Sequence, residues 1–196
     1  MSQFLQKSLN YFKKTPTVLL AGHPMLRSKA VAIKTSELGS TSLKNIMKNM
    51  ESIMIKRDLL GFAAPQMGHS IRLIAYQIQD ESSMKESNVD KKIPLTFLIN
   101  PMLTVLDKRP ESKWNLEYEF CESIPSYSGL VRRPDSIHIK ALDVNGNLVD
   151  RKYSGLLARI IQHEVDHLNG ICFIDKMEPA SFRHDLYVDQ YEVHRV

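Results

Sequence analysis

The segment His163-Glu164-Val165-Asp166-His167 is where chemistry reads most directly from the chain. Two histidines four residues apart share one face of a helix, so both imidazoles can reach one metal ion. Glu164 lies about 100° round the helix from His163, where it can lean toward a metal-bound water and take its proton. The competing explanation is two histidines on a solvent-facing polar strip. Leu156, Leu157, Ile160, Ile161, Val165 and Leu168 argue against it, because a polar strip on a buried helix needs partners.

Two histidines are not a site. A catalytic zinc-type centre takes three protein ligands and keeps one position open. Glu178, eleven residues beyond His167 and past the helix-ending Gly170, is one candidate third ligand. Cys121 is the other, since a thiolate is a soft ligand suited to Zn2+ or Fe2+. The second cysteine, Cys172, reads as a buried inert thiol. Two cysteines are too few for a disulfide scaffold.

The elements that would hold these residues can be read from periodicity. Leu43, Ile46, Met47, Met50, Ile53 and Met54 recur at three- and four-residue steps and predict an amphipathic helix from Thr41, capped by Ser40, Thr41 or Ser42. Gly61 to Gly68 (GFAAPQMG) breaks that helix, and its small residues leave room for close backbone approach. Strands are expected over 71–78, 95–99, 102–106, 113–121, 137–144 and 148–153, with Asn145-Gly146 as a hairpin turn. Residues 79–92 read as a solvated loop. In 113–121, Trp114, Leu116, Tyr118 and Phe120 alternate with polar residues and predict a strand with those four on its buried face. Ser154 should cap the histidine-bearing helix, and Gly170 should supply its left-handed terminus. The class is α+β: antiparallel β-sheets packed around a central metal-binding helix, with an N-terminal amphipathic helix.

With 196 residues, 43% of them hydrophobic, the chain can bury a core without staples. No stretch approaches a membrane span. Lys7, Lys13, Lys14, Arg27, Lys29 and Lys34 all precede the first acid, Glu37, so +6 of the net +4 lies there and the remainder carries −2. That argues against a whole-protein nucleic-acid binder. Residues 1–16 are basic and acid-free, and read as a plain arm or an organellar targeting remnant, although they lack arginine. Residues 17–196 read as a single catalytic domain.

Three segments, in order, resemble the peptide deformylase family. Gly61-Phe62-Ala63-Ala64-Pro65-Gln66 is similar to its GxGxAAxQ motif, Glu119-Phe120-Cys121-Glu122-Ser123 to EGCLS, and His163 to His167 to HExDH. The resemblance runs from about Val18 to about Met177. It implies a metal-dependent hydrolase of a linear amide, which removes the N-formyl group from the initiator methionine of new polypeptides and releases formate. It also implies that Cys121, His163 and His167 hold one divalent ion, Fe2+ or Zn2+, with Co2+ or Ni2+ as substitutes. Glu164 would be the general base and then the acid. The Gln66 side chain and the Glu122 backbone N–H would stabilise the oxyanion. The Gly61 backbone would pair with the extended substrate, and Leu60, Leu156 and Ile160 would line the methionine pocket. The implied partner is a formyl-Met nascent peptide, met at the ribosome exit region.

Three positions depart from the family pattern: Leu59 and Phe120 replace glycines, and Glu122 replaces a leucine. Phe120 would narrow the substrate groove. Glu122 would add negative charge beside the metal, weakening anion stabilisation or raising the pKa of the metal water. Glu122, the run 158–164 and the run 173–177 resemble the mitochondrial-type enzymes of animals, which implies a mitochondrial address, with the cytoplasm as the alternative. Two other readings stay open: a non-catalytic descendant that binds peptide N-termini, and a zincin-type endoprotease.

Overall fold

A computed structural model describes residues 18–86 and 89–187. The basic arm expected over residues 1–16 lies outside the described residues. Helix α1 (Thr41–Arg57) starts where Ser40 accepts a hydrogen bond from the Leu43 N–H at 3.2 Å. It ends at Asp58, which takes a left-handed conformation. Helix α3 (Gly155–Leu168) begins after Ser154, but the serine side chain makes no capping bond, so the expected cap holds in position only. Between them, Glu81–Glu86 forms a short helix, α2, inside the segment read as loop. Asp80 nucleates it by accepting from the Ser83 N–H (2.8 Å) and Ser82 Oγ (2.7 Å).

The strands are β1 (Gly61–Ala63), β2 (Leu73–Ile78), β3 (Ile93–Val105), β4 (Asn115–Cys121), β5 (Ile124–Arg133), β6 (Ser136–Leu142), β7 (Leu148–Ser154) and β8 (Arg183–His184). They form a five-stranded sheet in the order β1-β2-β3-β6-β7 and a three-stranded sheet in the order β4-β5-β8. All pairings within the sheets are antiparallel. The Asn100-Pro101 break does not end a strand. It is a bulge inside β3, with Asn100 at φ +53° and its side chain bonded to both backbone groups of Ile33. At the β6–β7 hairpin, Gly146 (φ +84°) supplies the left-handed residue. Asp143 accepts from the N–H groups of Asn145 and Asn147, so the turn is longer than a two-residue one.

Alternation along β2 explains the layering. Ile74, Tyr76 and Ile78 pack with Leu157, Ile160, Ile161 and Val165 of α3. Leu73 and Ala75 face the other way, with Phe62, onto Leu43, Met50, Ile53 and Met54 of α1. Burying each such side chain is worth about 1.5–3 kcal/mol. The far side of α3 meets the three-stranded sheet, where Leu26, Cys121, Val131, Cys172 and Phe173 pack together. Helix α3 is therefore enclosed between two sheets, and even its Arg159, Gln162, Asp166 and His167 are buried.

Strand β4 reverses one expectation. Glu119 is buried at 5% exposure, while Phe120 is exposed at 55%. The inward face looks onto two buried arginines, so an acid belongs there and an aromatic ring does not.

Candidate active site

Enclosure brings the three donors of the sequence-derived cluster together. The side-chain ligand atoms of Cys121, at the end of β4, and of His163 and His167, one turn apart on α3, all lie within 4.8 Å of one another. Cys121 Sγ is 3.3 Å from His167 Nε2. Tetrahedral ligands at ordinary metal–sulfur and metal–nitrogen lengths are ~3.6 Å apart, so the donor set fits a first-row divalent cation. Glu178 is elsewhere, paired with Arg132 at 2.9 Å. Cys172 is buried and carries no bond to the cluster.

Each donor is held from behind. His163 Nδ1 bonds Glu119 Oε2 at 3.0 Å, which fixes the ring and leaves Nε2 for the cluster. Glu119 also accepts two bonds from Arg133 (Nε and Nη2, both 2.8 Å) and one from Arg159 Nη1 (2.9 Å). Arg133 in turn reaches Asp166, which also takes Lys176 Nζ at 2.7 Å. Burial opposes the Glu119 charge, but the Arg133 and His163 hydrogen bonds outweigh it and hold the carboxyl well below the usual range. Burial likewise opposes charge on His163, yet Cys121 and Glu119 push its pKa well above the ordinary value. His167 goes the other way, lowered by burial and by the His163 charge. The thiol and the Glu119 carboxylate thus favour positive charge at this spot, and a bound cation would take the place of the proton on His163.

Glu164 is 4% exposed, and its Oε2 has no hydrogen-bond partner among the described residues. Burial pushes its carboxyl up to about 7. Gln66 is fixed by its own loop. The Ala63 N–H donates to Gln66 Oε1 at 2.8 Å, so the amide nitrogen points away, 3.3 Å from Ser123 Oγ and 3.6 Å from Cys121 Sγ. Gly61 sits against the helix: a Cβ there would lie 2.5 Å from Glu164 Oε1 and 2.7 Å from Ile160 Cγ2. Only glycine fits.

These groups line one cleft of about 360 Å³. Leu60, Gly61, Gln66, Cys121, Glu122, Leu156, Ile160, His163 and Glu164 all border it. His167 lies beneath, at 1% exposure. Phe120 and Leu59 border the cleft as well. The Glu122 carboxylate does not turn toward the donors but pairs with Arg57 at the end of α1. The supporting triad of Glu119, Arg133 and Arg159 was missed from sequence. Its signal was an acid in a strand and an arginine on a helix otherwise apolar.

A family model described as polypeptide deformylase matches residues 16–183. The chloroplastic peptide deformylase 1A of Solanum lycopersicum is 33% identical over 174 residues, 86% of this chain and 61% of that protein. The mitochondrial peptide deformylase of Homo sapiens is 34% identical over 176 residues, 84% of this chain and 69% of that protein. A class I type b peptide deformylase of Acinetobacter baumannii, solved with Met-Ala-Ser bound, superposes with a TM-score of 0.71 at 30% identity, covering 82% of this chain and 96% of that one. Mitochondrial, chloroplastic and bacterial proteins thus stand at similar identity.

Proposed function

The chain belongs to the polypeptide deformylase family, and on that premise we propose that it hydrolyses the N-formyl group of the initiator methionine through Glu164, Gln66 and Glu122. The single observation that carries this is the convergence of Cys121, His163 and His167 on a cleft that Glu164 and Gln66 also border. The peptide bound to the Acinetobacter enzyme supports a ligand with an N-terminal methionine.

A divalent cation held by Cys121, His163 and His167 would supply Lewis acidity, polarising the formyl carbonyl and acidifying water. Glu164 takes a proton from the attacking water. As the carbonyl oxygen gains charge, it accepts hydrogen bonds from Gln66 Nε2 and the Glu122 N–H. The C–N bond then breaks, Glu164 returns its proton to the departing amine, and formate and a free amino terminus leave. The Gly61 backbone lies on an outer strand of its sheet, where it can pair with extended substrate. Leu60, Leu156 and Ile160 form the apolar wall for the methionine side chain.

The finer assignments belong to the same reading. The metal is Fe2+ or Zn2+, which metal analysis of anaerobically purified protein decides. A mitochondrial address is favoured by the basic, acid-free residues 1–16 and by Glu122; imaging of the full chain fused to a fluorescent protein separates it from a cytoplasmic one. The function itself is tested by formate release from formyl-Met-Ala-Ser. Glu164→Gln should keep its metal and lose about 10²–10⁴-fold in rate. A fully loaded enzyme that releases no formate overturns the proposal.

A further inference from the structure

A second cavity, of about 900 Å³, lies behind α3. Leu156, Ile160, His163 and Glu164 face the active-site cleft, whereas Gln162, Val165 and Asp166, on the opposite side of the helix, face this one. Its floor is the second half of β3. Strand β2 pairs with β3 only as far as Leu73 opposite Ile99. The chain before Leu73 turns off: Ile71 bridges Val31, and the Arg72 N–H donates to the Val31 carbonyl at 2.9 Å. Strand β3 runs on to Val105, paired there with β6. Its other edge, from Met102 to Val105, pairs with no strand among the described residues. Met102, Leu103 and Val105 border the cavity. Leu103 packs toward α3, and alternation places Val105 on the same face, yet Val105 is 41% exposed. An open strand edge beside an uncovered apolar face is a template for an added strand.

The register dictates the direction of that strand. A segment that continues the row of β2 lies antiparallel to β3 and runs toward Leu73, so its C-terminus stops at Arg72. Among the described residues, Arg72 is the bordering cation without a carboxylate partner. Its Nη1 donates to the Leu168 carbonyl (3.3 Å) and to Asn169 Oδ1 (3.1 Å), and its Nη2 to the Pro101 carbonyl (3.2 Å). A guanidinium has five N–H donors, so donors remain for a further acceptor. Burial without a counter-charge pushes its pKa down. The other bordering cations are paired: Arg132 with Glu178, Arg133 with Glu119 and Asp166, and Lys176 with Asp166. Asp175 is taken by Arg27. Glu111, the remaining acid, is exposed in the turn before β4. A carboxylate set against Arg72 would gain the charge-assisted bonds that neutral oxygens cannot give.

We propose that this groove docks the free C-terminal segment of a partner polypeptide, held as an added strand along Met102–Val105 with its carboxylate on Arg72 and its apolar side chains beside Leu103 and Val105. The site stands apart from hydrolysis, and its test needs no turnover. Trp114, the single tryptophan, borders this cavity and not the cleft, so its fluorescence reports binding. Acetyl-Thr-Val-Thr-Val with a free carboxylate should bind the purified full chain about tenfold tighter than the same peptide as its C-terminal amide. Arg72→Gln should bring that ratio to near one. Because Arg72 also holds the end of α3, a second arm leaves the protein untouched and N-methylates the peptide at alternate residues. An antiparallel pair exchanges hydrogen bonds at every second residue, so one set of N-methyl groups should weaken binding by a similar factor and the other set should leave it unchanged. The site is overturned by equal affinity of acid and amide, by an acid preference that survives Arg72→Gln, as binding at the metal donors would, or by N-methyl effects that do not alternate.

Discussion

Replacing Glu119 by glutamine removes one charge and almost no volume, which makes it the sharpest probe of the support behind the metal donors. The carboxylate accepts four hydrogen bonds at 2.8–3.0 Å, three from guanidinium groups and one from His163. Its side chain is 4% exposed, and those of Arg133 and Arg159 are 3% and 8%. A glutamine offers one acceptor and turns an N–H₂ toward groups that are already donors. Breaking a buried ion pair from one side costs ~3–5 kcal/mol. Arg133 keeps Asp166 and Arg159 keeps Glu117, so the lower end, about 3 kcal/mol, is expected. Loss of the anchor on His163 should also weaken the metal by about 10–100-fold. The control is Glu117→Gln on the same strand. Glu117 meets Arg159 Nε at 2.9 Å, but its side chain is 46% exposed, which puts the cost below ~1 kcal/mol. Urea unfolding of the metal-free proteins, followed by Trp114 fluorescence, reads the first effect, and competition against a chromophoric chelator reads the second. If Glu119→Gln unfolds within 1 kcal/mol of Glu117→Gln and holds metal as tightly as the parent, the reasoning about this network is refuted.

Three further outcomes follow from local geometry. Gly61→Ala must displace Glu164 or Ile160, because its Cβ would lie 2.5 and 2.7 Å from their side chains; it should cost ~1–3 kcal/mol in denaturant unfolding and reduce formate release by more than tenfold. Ser40→Ala removes the cap on α1 and should cost ~1 kcal/mol with the specific activity of the folded fraction unchanged. Asp80 is held below the usual carboxyl range by hydrogen bonds from Ser83 and Ser82. A depressed pKa contributes stability above the unfolded value and loses it as pH falls. The parent's advantage over Asp80→Ala should therefore be present at neutral pH and fade below about pH 4, as followed by hydrogen exchange in α2.

What was legible in the sequence was whatever obeys simple periodicity. The stripe of α1, the apolar residues of α3, the alternation of β6 and β7 and the Asn145-Gly146 turn state their structure locally. Strand β5 was not seen, because Pro125, Ser126, Ser128 and Gly129 read as breakers. Its pairing is imposed from both sides by β4 and β8. Strand β1 was hidden for the same reason. Gly61 is there to let Glu164 and Ile160 approach, and its strand character comes from pairing with Tyr76 of β2. The short α2 was masked by charge, its start set by one aspartate cap. The residues at the centre of the candidate site were legible because HExxH carries a spacing that few structural needs produce. The residues behind them were not.

The reversed face of β4 shows why. Polarity patterning assumes that the buried side of a strand meets apolar neighbours. Here it meets Arg133 and Arg159, and an acid at position 119 becomes the residue that best satisfies the interior. The arginines are in turn tied to the acid: Arg133 also meets Asp166 and Arg159 also meets Glu117, but Glu119 is the carboxylate they share. Buried ion pairs of this kind add little stability over a well-packed apolar core, so stability is a poor reason for three charges between α3 and a sheet. Orientation of His163 is a better one. The Glu119 oxygen that bonds Nδ1 also accepts from Arg133, the other oxygen accepts from both Arg133 and Arg159, and the arginines are fixed by β5, Asp166 and the backbone of β4. A ring held this way keeps its free nitrogen aimed at the cluster. That interdependence is invisible to any window of sequence, because its members lie at positions 119, 133, 159, 163 and 166 on three elements and acquire meaning only when the two sheets close around the helix.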